Sequence, residues 1–124
     1  MKRVPKNMLI SVVDDDESVR SGTASLLRSA GYVAETFSSA EEFLNSGDHH
    51  RFACVVADIQ MPGMSGIELA NRLGHDEPPT PVILVTARTE HEVHAKAAAS
   101  NAAFLLRKPF AADRLLQCLQ SVMS

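Results

Sequence analysis

Four short stretches of the chain hold residues whose types can do chemistry. Asp14-Asp15-Asp16-Glu17 places four acids in a row, directly after the apolar run MLISVV. Asp58 closes a second apolar, β-branched run in Ala53–Gly66, ACVVADIQMPGMSG, before a loop with Pro62, Gly63 and Gly66. Thr86 follows VILV, and Lys108 precedes Pro109 after the run Ala102–Leu106. Carboxylates crowded together repel one another and must shift their pKa values or bind a cation. A hard divalent ion is the natural partner, and magnesium uses few carboxylates, several waters and substrate phosphate oxygens. A carboxylate beside such an ion can attack phosphorus and form an acyl phosphate. An amine and a hydroxyl can then bind the phosphoryl oxygens. The residue types suit phosphoryl transfer onto an aspartate. Taken alone, Asp58 serves equally well as a cap on the turn before Pro62 and Gly63.

These residues must be brought together by the elements that carry them. Met8–Val13 reads as a first strand. Val19, Thr23, Leu26, Leu27 and Ala30 recur at helical spacing, and Gly31 supplies a stop. Tyr32–Phe37 is a second strand, less apolar and so nearer a sheet edge. Overlapping S-x-x-E signals at Ser38–Glu42 open a short helix burying Ala40, Phe43 and Leu44. Gly47-Asp48-His49-His50 reads as a loop. Ala53–Ala57 is the third strand. Ser65 and Glu68 form a capping box for a helix that turns Leu69, Ala70 and Leu73 inward and stops at Gly74. His75–Pro81 is a proline-rich loop. Val82–Val85 is the fourth strand, and Thr89 with Glu92 predicts a capping box for an Ala-rich helix reaching about Ser100. Ala102–Leu106 is the fifth strand, ended by Lys108-Pro109 because proline cannot donate to a sheet ladder. Ala112, Leu115, Leu116, Leu119, Val122 and Met123 mark an amphipathic last helix.

Five strands thus alternate with five helices. Their continuous apolar character indicates burial on both faces, hence an α/β fold with a parallel sheet. Right-handed crossovers leave every strand's C-terminal end on one edge. Asp14, Asp15, Asp58, Thr86 and Lys108 then meet on that edge, near where strand order reverses, the ligand-binding place in such sheets.

Composition bounds the alternatives. The 124 residues suit one domain, with 45% hydrophobic and 22% charged residues. A net charge of −3 gives no general attraction to nucleic acid or to an anionic membrane. No apolar run is long enough to span a bilayer, and MKRVPKNMLI reads as a tail and first strand rather than a signal peptide. Lys2, Arg3 and Lys6 read as a solvated tail. Cys54 and Cys118 have no framework spacing and read as small core residues of a reducing, cytoplasmic compartment.

The chain resembles a response-regulator receiver domain of two-component signalling, as in chemotaxis. The resemblance rests on VVDDDESVR after the first strand, VVADIQMPGMSG around Asp58, ILVTA at the fourth strand and KPF at the fifth, and it covers about Met8 to Ser124. It implies a flavodoxin-like, doubly wound (βα)5 sandwich with strand order 2-1-3-4-5. It implies one receiver domain over 1–124, with no effector domain in this chain. Asp58 would be the phosphoacceptor, receiving phosphate from a sensor histidine kinase or a histidine-phosphotransfer protein. Asp14, Asp15, Asp58 and the backbone carbonyl of Gln60 would hold Mg2+, with Mn2+ as an alternative. Asp16 would have no direct metal role. Thr86 would be the switch hydroxyl, and Lys108 would pair with the phosphate across a cis Lys108–Pro109 bond. Gln60 and Arg88 would border the path of the hydrolytic water. Phosphorylation would change the surface of the fourth helix, fifth strand and fifth helix, which would face a downstream protein, an effector domain or a second copy. Such a domain is a switch that catalyses only its own phosphorylation and dephosphorylation.

Two positions depart from the family pattern. Leu105 stands where the family commonly has a switch aromatic, with Phe104 beside it. Asn101-Ala102 replaces the usual Gly-Ala, and Asn tolerates a left-handed backbone better than most residues. The rival from another class is a haloacid-dehalogenase-type phosphatase, for which Asp14-x-Asp16 would be the first motif. It leaves Asp58 and its MPGMSG loop unexplained. A receiver-like module that binds partners without phosphorylation is a third reading. His91 and His94, one helical turn apart, read as a solvated helix face, and Arg107 and Arg114 as a rim of charge.

Overall fold

The computed structural model describes residues 9–123. Met8, the tail residues Lys2, Arg3 and Lys6, and Ser124 lie outside the described residues. The elements run β1 (Leu9–Val13), α1 (Glu17–Ser29), β2 (Val33–Phe37), α2 (Ala40–Leu44), β3 (Cys54–Asp58), α3 (Gly66–Gly74), β4 (Val82–Thr86), α4 (His91–Ala98), β5 (Phe104–Arg107) and α5 (Ala112–Met123). One parallel sheet has the order β2-β1-β3-β4-β5. This is the doubly wound order that the sequence implies.

Alternation along the strands sends neighbouring side chains to opposite faces. Val13, Val55, Ala57 and Leu84 meet Ala40 and Phe43 of α2, Leu69, Ala70 and Leu73 of α3, and Ala97 of α4. Ile10, Val12, Cys54, Val56, Ile83 and Val85 meet Ala24 and Leu27 of α1 and Leu115, Cys118 and Leu119 of α5. Covered on both faces, β3 and β4 are buried at every residue. The edge strand β2 instead leaves Val33 exposed. Phe43 is fully buried and meets Phe37 edge-on at 5.4 Å. Burying such a ring stabilises the fold by about 1.5–3 kcal/mol.

The helix ends refine the sequence reading. Asp16 caps α1 by accepting from the Val19 N–H at 3.2 Å, a role unassigned from sequence. Ser65 and Glu68 close the expected capping box on α3. At α2, Ser39 caps Glu42, but the Glu42 carboxylate reaches back to the Ser38 N–H, one residue earlier than a closed box needs. The box expected from Thr89 and Glu92 does not form: Glu90 is the cap residue of α4 and makes no side-chain capping bond. Glu90 is held by the Arg88 guanidinium at 2.9 Å instead. The loop expected at Gly47–His50 instead runs into a 3-10 turn at His49–Arg51. Asn101 does not use a left-handed backbone, since positive φ occurs only at glycines among the described residues. Its N–H donates to Asn71 Oδ1 at 2.9 Å, which anchors the turn in another way.

Candidate functional site

The C-terminal strand edge is fixed by backbone hydrogen bonds between neighbouring strand ends. Asp14 N–H donates to the Phe37 carbonyl at 3.1 Å, Ile59 N–H to Val85 at 2.9 Å, and Lys108 N–H to Thr86 at 2.7 Å. Asp14 follows β1, Asp58 ends β3, Thr86 ends β4, and Lys108 follows β5. These residues, called together from four separate stretches of sequence, therefore sit on one rigid edge.

The Lys108 ammonium joins two of the acids. Its Nζ lies 3.0 Å from Asp14 Oδ2 and 3.3 Å from Asp58 Oδ2. Both carboxylates are buried residues, whereas Asp15 is exposed. Burial pushes the Asp58 carboxyl above the ordinary aspartate range, and Asp14 adds to that. The Lys108 charge and the Gln60 N–H act the other way without cancelling it. Burial disfavours the Lys108 charge too, but Asp14 and Asp58 outweigh it and hold its pKa above that of ordinary lysine.

Asp14, Asp15 and Asp58 each offer a carboxylate oxygen, and these lie within 4.8 Å of one another. An all-oxygen donor set of this size, with one exposed member, fits a magnesium-class cation that keeps part of its water shell. The unrelieved burial of the Asp58 charge fits it as well, because a cation there would offset that cost. Gln60 lies in the loop just after β3, and its N–H donates to Asp58 Oδ1 at 3.3 Å. Asp16 N–H donates to Asp14 Oδ1 at 3.0 Å, so Asp16 shapes the pocket through its backbone. Thr86 is fully buried, and its hydroxyl accepts from the Arg88 N–H at 2.9 Å rather than facing Asp58 through a hydrogen bond. The Lys108–Pro109 bond is cis, as the resemblance implies.

Some contributors escape sequence reasoning. The Arg20 guanidinium donates to the Asp14 carbonyl at 2.7 Å and ties α1 to the pocket. Glu41 accepts from the Met64 N–H at 2.8 Å and holds the loop beyond Asp58, from 23 residues away. No local pattern announces such a contact. Gly66 stands in the motif as a glycine for a spatial reason: a Cβ there would lie 2.3 Å from the Asp58 carbonyl oxygen. A groove of about 460 Å³ opens beside Lys108, lined by Val19, Thr23 and Leu26 of α1 with Pro109 and Phe110. Leu105 is half-buried and packs on the face covered by α2, α3 and α4.

A parallel five-stranded sheet in the order β2-β1-β3-β4-β5, with acids, a hydroxyl and an amine gathered at its C-terminal edge, defines a doubly wound α/β domain with its candidate site at the strand ends. The family model for the response regulator receiver domain matches residues 10–120, so the chain belongs to that family and is a receiver domain of a two-component response regulator. The transcriptional regulatory protein FixJ of Bradyrhizobium diazoefficiens is 36% identical over 114 residues, 92% of this chain and 56% of that protein. The response regulator protein TodT of Pseudomonas putida F1 is 31% identical over 115 residues, 93% of this chain and 51% of that protein. The chain spans about half the length of these curated relatives. Among solved structures, FixJ-N superposes with a TM-score of 0.84 at 28% identity, covering 99% of this chain and 95% of that one. Chemotaxis protein CheY4 of Vibrio cholerae superposes with a TM-score of 0.80 at 33% identity, covering 92% and 97%. No described helix is long and apolar enough to cross a membrane.

Proposed function

We propose that Asp58 is the phosphoacceptor and that Asp14 and Asp15, with the Gln60 carbonyl, complete a Mg2+ site around it. The observation that carries this is the pairing of one lysine with two buried carboxylates, beside a third that is exposed. When bound, the ion supplies positive charge that offsets the phosphoryl oxygens and the crowded acids. An Asp58 oxygen attacks phosphorus of a phosphohistidine, an O–P bond forms, the N–P bond breaks, and the imidazole leaves with its electron pair. Lys108 is already at hydrogen-bonding distance from Asp58 and pairs with the added phosphoryl charge. Burial at the strand end limits the approach of water, while exposed Gln60 and Arg88 stand at its entrance and tune the lifetime of the acyl phosphate.

The donor is a histidine kinase or a histidine-phosphotransfer protein. The output passes through α4, β5 and α5 to an effector or a second copy of the chain. A phosphoryl oxygen at Asp58 accepts from the Thr86 O–H and draws the hydroxyl toward it, away from the Arg88 N–H from which it now accepts. For a reversal from 1:99 to 99:1 the phosphoryl group must favour the active arrangement by about 5.5 kcal/mol. Leu105, smaller than an aromatic, moves into the space that Thr86 vacates.

Intact-mass measurement with Mg2+ and a small acyl-phosphate donor tests the assignment. Wild type gains one phosphoryl group, Asp58→Asn gains none, and EDTA abolishes the gain. Labelling of Asp58→Asn but not of Asp14→Asn would transfer the nucleophile to Asp14 and revive the phosphatase reading.

A further inference from the structure

We propose that His49, His50 and Asp76 form a second metal site, for a zinc-class divalent cation, at the opposite end of the sheet from Asp58. The 3-10 turn His49–Arg51 lies just before β3 begins, and Asp76 lies between the end of α3 and the start of β4. In a parallel sheet both positions belong to the N-terminal strand edge, so the cluster is separate from the acidic pocket. The two segments join where the His49 Nε2 and Asp76 Oδ2 atoms stand 2.9 Å apart. One ring nitrogen from each histidine and one Asp76 oxygen lie within 4.8 Å of one another.

The rings are held in place before any ion arrives. Asp48 Oδ1 accepts from the His50 N–H at 3.0 Å, and the Phe52 N–H donates to the His49 carbonyl at 3.3 Å, which fixes the turn. His49 packs on Phe43 at 5.7 Å between ring centroids, and the His50 ring lies 4.9 Å from the His49 ring. The Nδ1 atoms of both rings are shielded from solvent and have no hydrogen-bond partner in the protein. A simple His49–Asp76 ion pair explains neither the second imidazole nor the unused, shielded Nδ1 of His50. Unpaired shielded nitrogens are costly, and coordination to a cation gives such lone pairs a use.

The donor chemistry selects the ion. Two imidazoles and one carboxylate suit zinc and its neighbours in the first transition row, whereas magnesium takes oxygen ligands. Three protein ligands leave the fourth tetrahedral position to water. The bound ion would clamp the segment before β3 to the segment before β4. His75 and His94 differ in setting: each uses a ring nitrogen on a backbone carbonyl, of Asn71 and Arg88 respectively.

The test is calorimetric titration with Zn2+ in saturating Mg2+, so that the acidic pocket is filled. Wild type should bind one Zn2+, and His50→Gln and Asp76→Asn should each weaken it by at least about tenfold. His94→Gln should bind as wild type does. Cooperative urea unfolding and acyl-phosphate labelling of the two site variants check that the fold survives. Absence of Zn2+ binding overturns the proposal. So does binding that His50→Gln leaves intact, which reduces the cluster to an ion pair, or binding lost only in His94→Gln.

Discussion

Gly66 stands against the backbone of Asp58: a Cβ added there would lie 2.3 Å from the Asp58 carbonyl oxygen and 2.9 Å from its carbonyl carbon. The atoms met all belong to the backbone of Asp58 and Ile59, so no flexible side chain is there to yield. Gly66→Ala should therefore destabilise the protein by about 1–3 kcal/mol, the usual range for an overpacked site. It should also slow acyl-phosphate labelling, because the displaced strand end carries Asp58, the proposed acceptor. Urea unfolding and intact-mass kinetics measure the two effects. A variant with wild-type values in both would deny the close approach any role.

That relationship marks the limit of what the sequence discloses. The β-branched runs and the capping pattern of Ser65 and Glu68 are local, so five strands, their order of appearance and the acidic edge are legible. Asp14, Asp58, Thr86 and Lys108 are legible because each ends or follows a strand, and parallel strands end together. The contacts of Glu41 with Met64 and of Arg20 with the Asp14 carbonyl depend on how helices settle on the sheet, which local spacing does not encode. The failed prediction at Thr89 is instructive. The residues of a capping box were present, but the helix started one residue later, where Glu90 was already engaged by Arg88.

Asp58→Asn should stabilise the metal-free protein. Burial and Asp14 raise the Asp58 pKa above its unfolded value. Over the window between the ordinary aspartate value and that raised value, the native state binds more protons than the unfolded one. Stability contributed by this group therefore rises as pH falls through the window and is lower above it. The advantage of Asp58→Asn should be largest near neutral pH and shrink on acidification. Urea midpoints of both proteins across pH, in EDTA, measure this, and a pH-independent difference would contradict it.

Lys108→Met should destabilise the metal-free protein and make it more dependent on Mg2+. The ammonium joins Asp14 and Asp58, and its removal leaves two buried carboxylates facing each other. Lys108 is partly exposed, so the cost should be about 1–3 kcal/mol rather than that of a fully buried pair. The raised Lys108 pKa keeps it charged through neutral pH, and its contribution is lost only as pH rises through that value. Thermal unfolding with and without MgCl2 should show a larger Mg2+-induced rise in the variant than in wild type. Equal rises would mean that Lys108 does not share the charge balance of the site.

Thr86→Val separates phosphorylation from its consequence. Valine keeps the shape of this fully buried side chain but removes the oxygen that accepts from the Arg88 N–H at 2.9 Å. The lost bond should cost about 0.5–1.5 kcal/mol. Asp58, Asp14 and Lys108 are untouched, so the variant should still accept one phosphoryl group in Mg2+. Without a hydroxyl to move toward the phosphoryl oxygens, the strand end at Thr86 has no reason to shift. The amide resonances of α4 and β5 that change in phosphorylated wild type should then stay near their unphosphorylated positions. Thr86→Ser, which keeps the oxygen, should restore much of that change. Full wild-type shifts in phosphorylated Thr86→Val would remove the hydroxyl from the switch and leave the Lys108 pairing as its driver.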